Sequence, residues 1–272
     1  MDLGLTGRGL FVVRPAVAYD PKPTTGRSYE LEMPEELEPF ATDRLITDVV
    51  GKIKEGKEAE VYLCAAHPST GERLFAAKVH RAFEHRRFRN DAIYREGRAI
   101  GSRTVAKAME QRSRFGQEML GATWLDSEHR TLRDMEGAGV RVPRVWGRAD
   151  HALLLEFIGS DDGEAAPPLR ALDVSPRAAR ALWHDLKRSI VRALAANTVH
   201  GDLSPYNVLV KGTDAYIIDW PQAVDPRKNP NARWLFERDI CNILTYFARH
   251  GIREDGDMLA GVLWDRWTNN RL

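Results

Sequence analysis

Polar and apolar residues alternate along DVVGKI (residues 48–53) and EVYLCAA (60–66). The short charged stretch between them predicts two strands joined by a tight turn. LFAAKV, Leu74 to Val79, predicts a third strand after the turn HPSTGE. Three short strands in succession make an antiparallel meander. A helix follows over about Ala122 to Glu136, with Trp124, Leu125, Leu132 and Met135 apolar, and the GAG at 137–139 stops it. RVPRVWG and ALLLEFIG predict two more strands. SDDGEAAPP then looks like an exposed linker and a candidate lobe boundary.

Behind that linker the period changes. Ser175 and Pro176 supply an N-cap and a first-turn proline. Ala179, Leu182, Trp183, Leu186, Ile190 and Leu194 fall on one helical face, and Asn197 suits a left-handed terminator. NVLVK and AYIID pair across GTD as a hairpin, and ERDICNILTYFARHG is an amphipathic helix ended by Gly251. The expected organisation is an irregular N-terminal arm over 1–45 and a β-rich lobe with one helix over 46–158. A mostly helical lobe follows over 159–272.

Composition sets outer bounds. A chain of 272 residues that is 43% hydrophobic can bury a globular core. A net charge of +1 argues against a globally polyanionic partner, although local clusters still matter. Cys64 and Cys241 are the only cysteines, with neither a disulfide framework nor zinc spacing. The N-terminus has no apolar core for a signal peptide, and no stretch approaches the ~20 apolar residues of a membrane span. The expectation is a cytoplasmic protein with no membrane partner.

The candidate chemistry sits in HGDLSPYNVLV, His200 to Val210, and in YIIDW, Tyr216 to Trp220. Asp202 precedes Asn207 by five residues, and Asp219 ends the next apolar run. This spacing suits phosphoryl transfer: Asp202 orients a hydroxyl or water, while Asn207 and Asp219 hold the divalent ion bridging nucleotide phosphates. Alone, Asp202 and Asn207 would read as turn residues. His200 is expected to orient the loop through its ring nitrogens. Lys78 lies at the end of an apolar strand, where it either snorkels to solvent or holds phosphate oxygens. Glu128, on the predicted helix, is its candidate partner. KEGKEAEVY, Lys54 to Tyr62, lacks GxGxxG spacing; beside Lys78, Gly56 and Lys57 could cover phosphates with backbone N–H groups and a positive charge. The basic stretch Arg81–Arg114 reads as a solvated face, or as a patch for RNA phosphates or an acidic partner.

Together these motifs resemble the RIO family of atypical serine/threonine protein kinases, from about Asp48 to Gly251. The anchors are GKEAEVYL, AAKVH, WLDSEHRTLRDMEGAGVRVPRV, LLLEFIG, HGDLSPYNVLV and YIIDWPQAVDPRKNP with the trailing ARWLFERDICNI. The resemblance implies an α+β, two-lobed protein-kinase-like fold with a small antiparallel N-lobe sheet, a mostly helical C-lobe and a reduced activation segment. It implies ATP with Mg2+ or Mn2+ in the cleft, Lys78 on the phosphates, Glu128 pairing with Lys78, and backbone at Glu156 and Ile158 against adenine. Asp202 becomes the catalytic aspartate, and Asn207 and Asp219 the metal ligands. Asp219 also matches a position described as a phospho-acceptor in RIO ATPases. The implied acceptor is a protein or the chain itself, and the family's link to small-subunit maturation implies a ribosomal partner.

One departure stands out: the family's phosphate loop begins Ser-Thr-Gly-Lys, whereas this one reads Lys54-Glu55-Gly56-Lys57. Two other readings stay open. A small-molecule phosphotransferase of the aminoglycoside or choline kinase type shares the His-Gly-Asp-Leu loop. A nucleotide-gated ribonucleoprotein assembly factor would use the arginine-rich stretch.

Overall fold

A computed structural model describes the strand Phe11–Val13 and residues 32–56, 59–81 and 114–272, the last stretch with side chains from residue 124 onward. In chain order the elements begin with strand β1 (Phe11–Val13), the short helix α1 (Glu38–Thr42), and strands β2 (Ile46–Glu55), β3 (Ala59–Ala66) and β4 (Leu74–His80). Helix α2 (Arg114–Gly137), strands β5 (Val145–Arg148), β6 (Ala152–Glu156) and β7 (Leu172–Val174), and helix α3 (Pro176–Ala195) follow. Strands β8 (Val208–Lys211) and β9 (Asp214–Ile217) and helices α4 (Ala232–Ala248) and α5 (Gly256–Thr268) complete the chain.

Strands β2 to β6 form one antiparallel sheet in the order β2-β3-β4-β6-β5. The side-chain period of two decides what each face does. On β4, Phe75, Ala77 and Val79 turn into a core shared with Leu37, Phe40, Ile46, Cys64 and Leu154. Ala76, Lys78 and His80 therefore take the opposite face, along the interlobe cleft. Strand β6 is divided the same way: Ala152 and Leu154 join the N-lobe core, and Leu153 joins the larger core below. A one-residue slip would bury Lys78 and expose Phe75, so burial fixes the register. Strands β2 and β3 pair with three register shifts, which bend the hairpin.

The larger core lies in the C-lobe and reaches up to Leu125, Leu132 and Met135 of α2. Helix α3 starts as expected: Ser175 Oγ accepts from Ala178 N at 3.3 Å, with Pro176 in the first turn. Asn197, at φ 57°, ends it in the left-handed conformation that asparagine tolerates. Asp185, on its buried side, accepts from Ala215 N at 3.0 Å and pairs with Arg141 at 3.2 Å. One side chain thus ties the β8–β9 hairpin and the α2–β5 connector to the C-lobe.

Several boundaries differ from the sequence reading. The arm over 1–45 is not irregular throughout. β1 pairs antiparallel with β7, and Glu35–Thr42 forms a 3-10 turn running into α1. Leu37 and Phe40 there are fully buried, because the sheet offers them an apolar face that the acidic local sequence does not advertise. Helix α2 is already formed at Arg114, eight residues ahead of the expected start, so Arg114 and Phe115 belong to a helix. The linker SDDGEAAPP is pinned to the hairpin, with Pro168 bridged to Leu209 and Val210 N donating to Pro167 O at 3.0 Å. The rest of the arginine-rich stretch, 82–113, and Lys57 lie outside the described residues.

Candidate active site

The cleft between the lobes is a cavity of about 380 Å³. Gly56, Lys78, Glu128, Glu156, Ile158 and Asp219 all line it. Lys78 Nζ lies 2.6 Å from Glu128 Oε1 and 2.8 Å from Asp219 Oδ1. One ammonium therefore joins the sheet, helix α2 and the end of the β8–β9 hairpin. Burial works against a charge on Lys78, yet Asp219 and Glu128 raise its pKa above the ordinary lysine range. Glu128 is 1% exposed. Burial favours its neutral form, but Lys78 and then His80 outweigh that and hold it ionised. His80 Nε2 stands 3.3 Å from Glu128 Oε2, so the carboxylate sits between two basic groups.

Asp219 has φ 67°, a conformation that few residues other than glycine adopt. The turn behind it is held by Trp220, whose Nε1 donates to Ile217 O at 3.1 Å. The kink aims a partly exposed carboxylate at Lys78.

The His200–Asn207 loop is held differently. Gly201 N and Leu203 N donate to the two oxygens of Asp239, at 2.8 and 2.9 Å. Arg238 donates to Gly201 O. Asp202 N donates to His200 Nδ1 at 3.2 Å, so Nε2 carries the proton and donates to Ile218 O at 3.0 Å. His200 therefore orients the loop through both ring nitrogens, and burial lowers its pKa to about 4. Asn207 Nδ2 donates to Asp202 O at 2.9 Å, which leaves the amide oxygen as its ligating atom. Asp202 itself is exposed. Its pKa is nonetheless raised, chiefly because the surrounding protein desolvates part of the carboxylate; Arg238 pulls it down and Asp219 pushes it up.

At the cleft's inner edge, Ile158 O accepts from Ala166 N at 2.8 Å, so its amide is the group placed to meet a base edge. Gly56 N donates to Ala59 O at 3.0 Å, and a Cβ at Gly56 would meet that oxygen at 3.0 Å. Arg81, the first residue of the arginine-rich stretch, pairs with Glu55 at 2.6 Å and Glu60 at 2.5 Å. Its charge is thus used locally, to brace the β2–β3 hairpin.

Sequence reasoning missed Asp239, Arg238 and His80. Asp239 left a signal: it falls in the apolar stripe of Leu235, Phe236, Ile240 and Ile243, where an unpartnered carboxylate is costly. Arg238 lies beside it in the same ARWLFERDICNI motif. His80 gave no signal, because its contact is made by the fold.

A family model described as the RIO domain matches residues 60–258. The chain is similar to the serine/threonine-protein kinase RIO1 of Homo sapiens, 31% identical over 219 residues. That match covers 78% of this chain and 35% of the human protein, so the chain spans about a third of that relative's length. It is 33% identical over 136 residues to the RIO-type serine/threonine-protein kinase Rio1 of Thermoplasma acidophilum, covering 50% of this chain and 69% of that one. Among solved structures, the Rio2 kinase–ADP/Mg2+–phosphoaspartate complex from Chaetomium thermophilum has the same fold. Its TM-score is 0.61 at 22% identity, covering 84% of this chain and 65% of that one. The two-lobed kinase-like α+β fold is therefore shared. The matched domain spans most of the residues that the cleft brings together, Lys78, Glu128 and Asp219 among them, and the chain belongs to the RIO domain family.

Proposed function

We propose that this chain transfers the γ-phosphoryl group of ATP to a hydroxyl, as a RIO-type serine/threonine protein kinase, or to water. One observation carries the reading: Lys78 bridges Glu128 and Asp219 across the cleft, beside a loop that presents Asp202 and Asn207. Asp202 accepts the hydroxyl proton as the acceptor oxygen bonds to the γ-phosphorus and the bond to the leaving ADP oxygen breaks. Lys78 moves part of its charge from Asp219 to phosphate oxygens, and Glu128 keeps it in place. The Ile158 amide, with backbone at Glu156, meets the adenine edge; Lys57 covers the phosphates with its charge, and Gly56, whose N–H is committed to Ala59 O, does so by letting the turn approach closely.

The donor set fits magnesium, or manganese in its place. Asp219 and Asn207 offer hard oxygen ligands, few enough to leave room for water and phosphates. When bound, the ion neutralises charge on the phosphates. The same proposal extends to a protein acceptor, which includes the chain itself, and to an RNA or ribosomal partner at Arg81–Arg114. No described helix is long and apolar enough to cross a membrane. A cytoplasmic setting belongs to this proposal.

The test is incubation with γ-labelled ATP and magnesium, beside Asp202→Ala and Asp219→Asn. Hydroxylamine-resistant label that Asp202→Ala loses is the expected result. Hydroxylamine-sensitive label lost in Asp219→Asn would instead make Asp219 the acceptor and ATP hydrolysis the output. ATP consumed only when a small hydroxylated metabolite is added would overturn the protein kinase reading.

A further inference from the structure

The loop that carries Asp202 is held by contacts that differ in kind. Four of them draw on side chains that are at least nine-tenths buried: two from Asp239, one from His200 and one from Asn207. Two more come from exposed or partly exposed side chains of α4: Asn242 Nδ2 donates to Leu203 O at 3.3 Å, and Arg238, the longer of the two, donates to Gly201 O. Such a side chain has many rotamers and needs something to keep it in one of them. Trp234, one turn earlier, supplies that: its ring centroid lies 4.9 Å from the Arg238 guanidinium carbon. Trp234 is 51% exposed. A lone exposed aromatic needs no explanation. This one lies against a guanidinium that is bonded to the residue before Asp202.

We propose that Arg238 is a positioning residue for Asp202, fixing the Gly201–Asp202 peptide, and that Trp234 holds Arg238 in place to do so. The role follows from glycine at 201, which has φ 81°. Glycine crosses between backbone conformations with little steric penalty, so this peptide is the easiest in the loop to flip. A flip would turn Gly201 O away and break the bond from Asp202 N to His200 Nδ1. Arg238 blocks the flip by occupying the carbonyl with a charge-assisted bond. Asp239 cannot substitute for it, because both its oxygens are already taken by Gly201 N and Leu203 N. The activity arm of the test rests on the phosphotransferase reading; the exchange arm does not.

The experiment compares wild type with Arg238→Ala, Arg238→Lys and Trp234→Ala. It reads ATP turnover, nucleotide affinity and amide hydrogen exchange. Arg238→Ala is expected to lower kcat by about tenfold to a hundredfold, the scale of one lost charged hydrogen bond. Nucleotide Kd should stay within about twofold, since Arg238 is not among the residues lining the cleft. Free guanidinium, well below denaturing concentration, should restore part of kcat in Arg238→Ala. Arg238→Lys should be intermediate, keeping a donor but losing the planar stack. Trp234→Ala should lose less than Arg238→Ala. The Asp202 and Leu203 amides should exchange faster in Arg238→Ala. Wild-type kcat in Arg238→Ala would overturn the inference, and so would a loss matched by weaker nucleotide binding and not rescued by guanidinium. If wild type turns over no ATP, the phosphotransferase reading fails; exchange then decides, and unchanged protection at Asp202 and Leu203 overturns the positioning role.

Discussion

The two walls of the cleft are held by different forces. On the upper wall Lys78 is held by charged hydrogen bonds, to Glu128 beside it and to Asp219 across the cleft, with His80 on the far side of Glu128. On the lower wall the Asp202 loop is held mainly through its backbone, above all by two N–H groups on one buried carboxylate. An ion pair can exchange a partner without moving the chain, which suits an ammonium that must share its charge with incoming phosphates. A backbone bond cannot be exchanged so freely, which suits a loop whose carboxylate must stay where it is. The upper wall is therefore adjustable and the lower wall fixed.

The largest effect is expected where that fixity is concentrated. Asp239→Ala strands two buried N–H groups at once, each costing about 1–3 kcal/mol, so a loss near 4 kcal/mol is expected in urea unfolding. A loss under about 1 kcal/mol would mean that water replaces the carboxylate and that the lower wall is not built as described. Glu128→Gln comes next. It removes one charge from a buried pair and leaves Lys78 to Asp219 alone, at an expected cost of about 3 kcal/mol. Nucleotide binding should weaken with it, whereas Asp239→Ala should spare binding relative to turnover.

The upper wall is the more legible in the sequence. Period-two alternation through Phe75, Ala77 and Val79 is enough to put Lys78 on the opposite face; of the lower wall, only the spacing of Asp202, Asn207 and Asp219 shows in the sequence. The supports of the lower wall are harder to see. Asp239 sits in an apolar helix, and nothing local says that its partners are amides 36 and 38 residues earlier. Helix α5 hides because its apolar residues run nearly all round: Leu259 and Leu263 are buried while Met258 and Val262 face out. Leu37 and Phe40 lie three apart in a glutamate-rich run that reads as solvated until the sheet covers them. In each case the missing information is a long-range partner.

Titration separates the two groups buried in the lower wall by sign. Burial lowers His200 to about 4 from an ordinary 6.5, so between those values the unfolded chain takes a proton that the folded one refuses. Its contribution rises with pH and is lost as pH falls through that window. Burial raises Asp239 to about 7 from 3.8, partly offset by its two N–H donors. There the folded chain holds the extra proton, and stability falls as pH rises toward 7. The two slopes oppose each other, each about 1.4 kcal/mol per pH unit at most, so their joint contribution from about pH 4 to 6.5 should be nearly flat. Asp239→Asn should tilt it upward with pH and His200→Asn downward, read from urea midpoints at several pH values. Equal slopes in both variants would break the assignment.

The smallest effect is expected at the outer charge cluster that braces the β2–β3 hairpin. Lys52 hydrogen bonds Glu60 and lowers its pKa to about 2, with Tyr62 and Arg81 adding to the effect. The distances are short, 2.7 Å to Lys52 and 2.5 Å to Arg81. Both cations are about one-third exposed, however, and water screens them. Glu60→Gln should therefore move the melting midpoint by only about 1–2 °C at low salt, a difference that about 0.5 M salt removes. The wild-type advantage should be present above pH 4.5 and fade as pH falls toward 2, since Glu60 is the group whose folded-state value is depressed. The inner cluster supplies the contrast. Glu128 is buried, so the cost of Glu128→Gln should persist in the same salt. If salt abolished both effects alike, the upper wall would be a solvated ion cluster throughout, and Lys78 would owe its position to the strand alone.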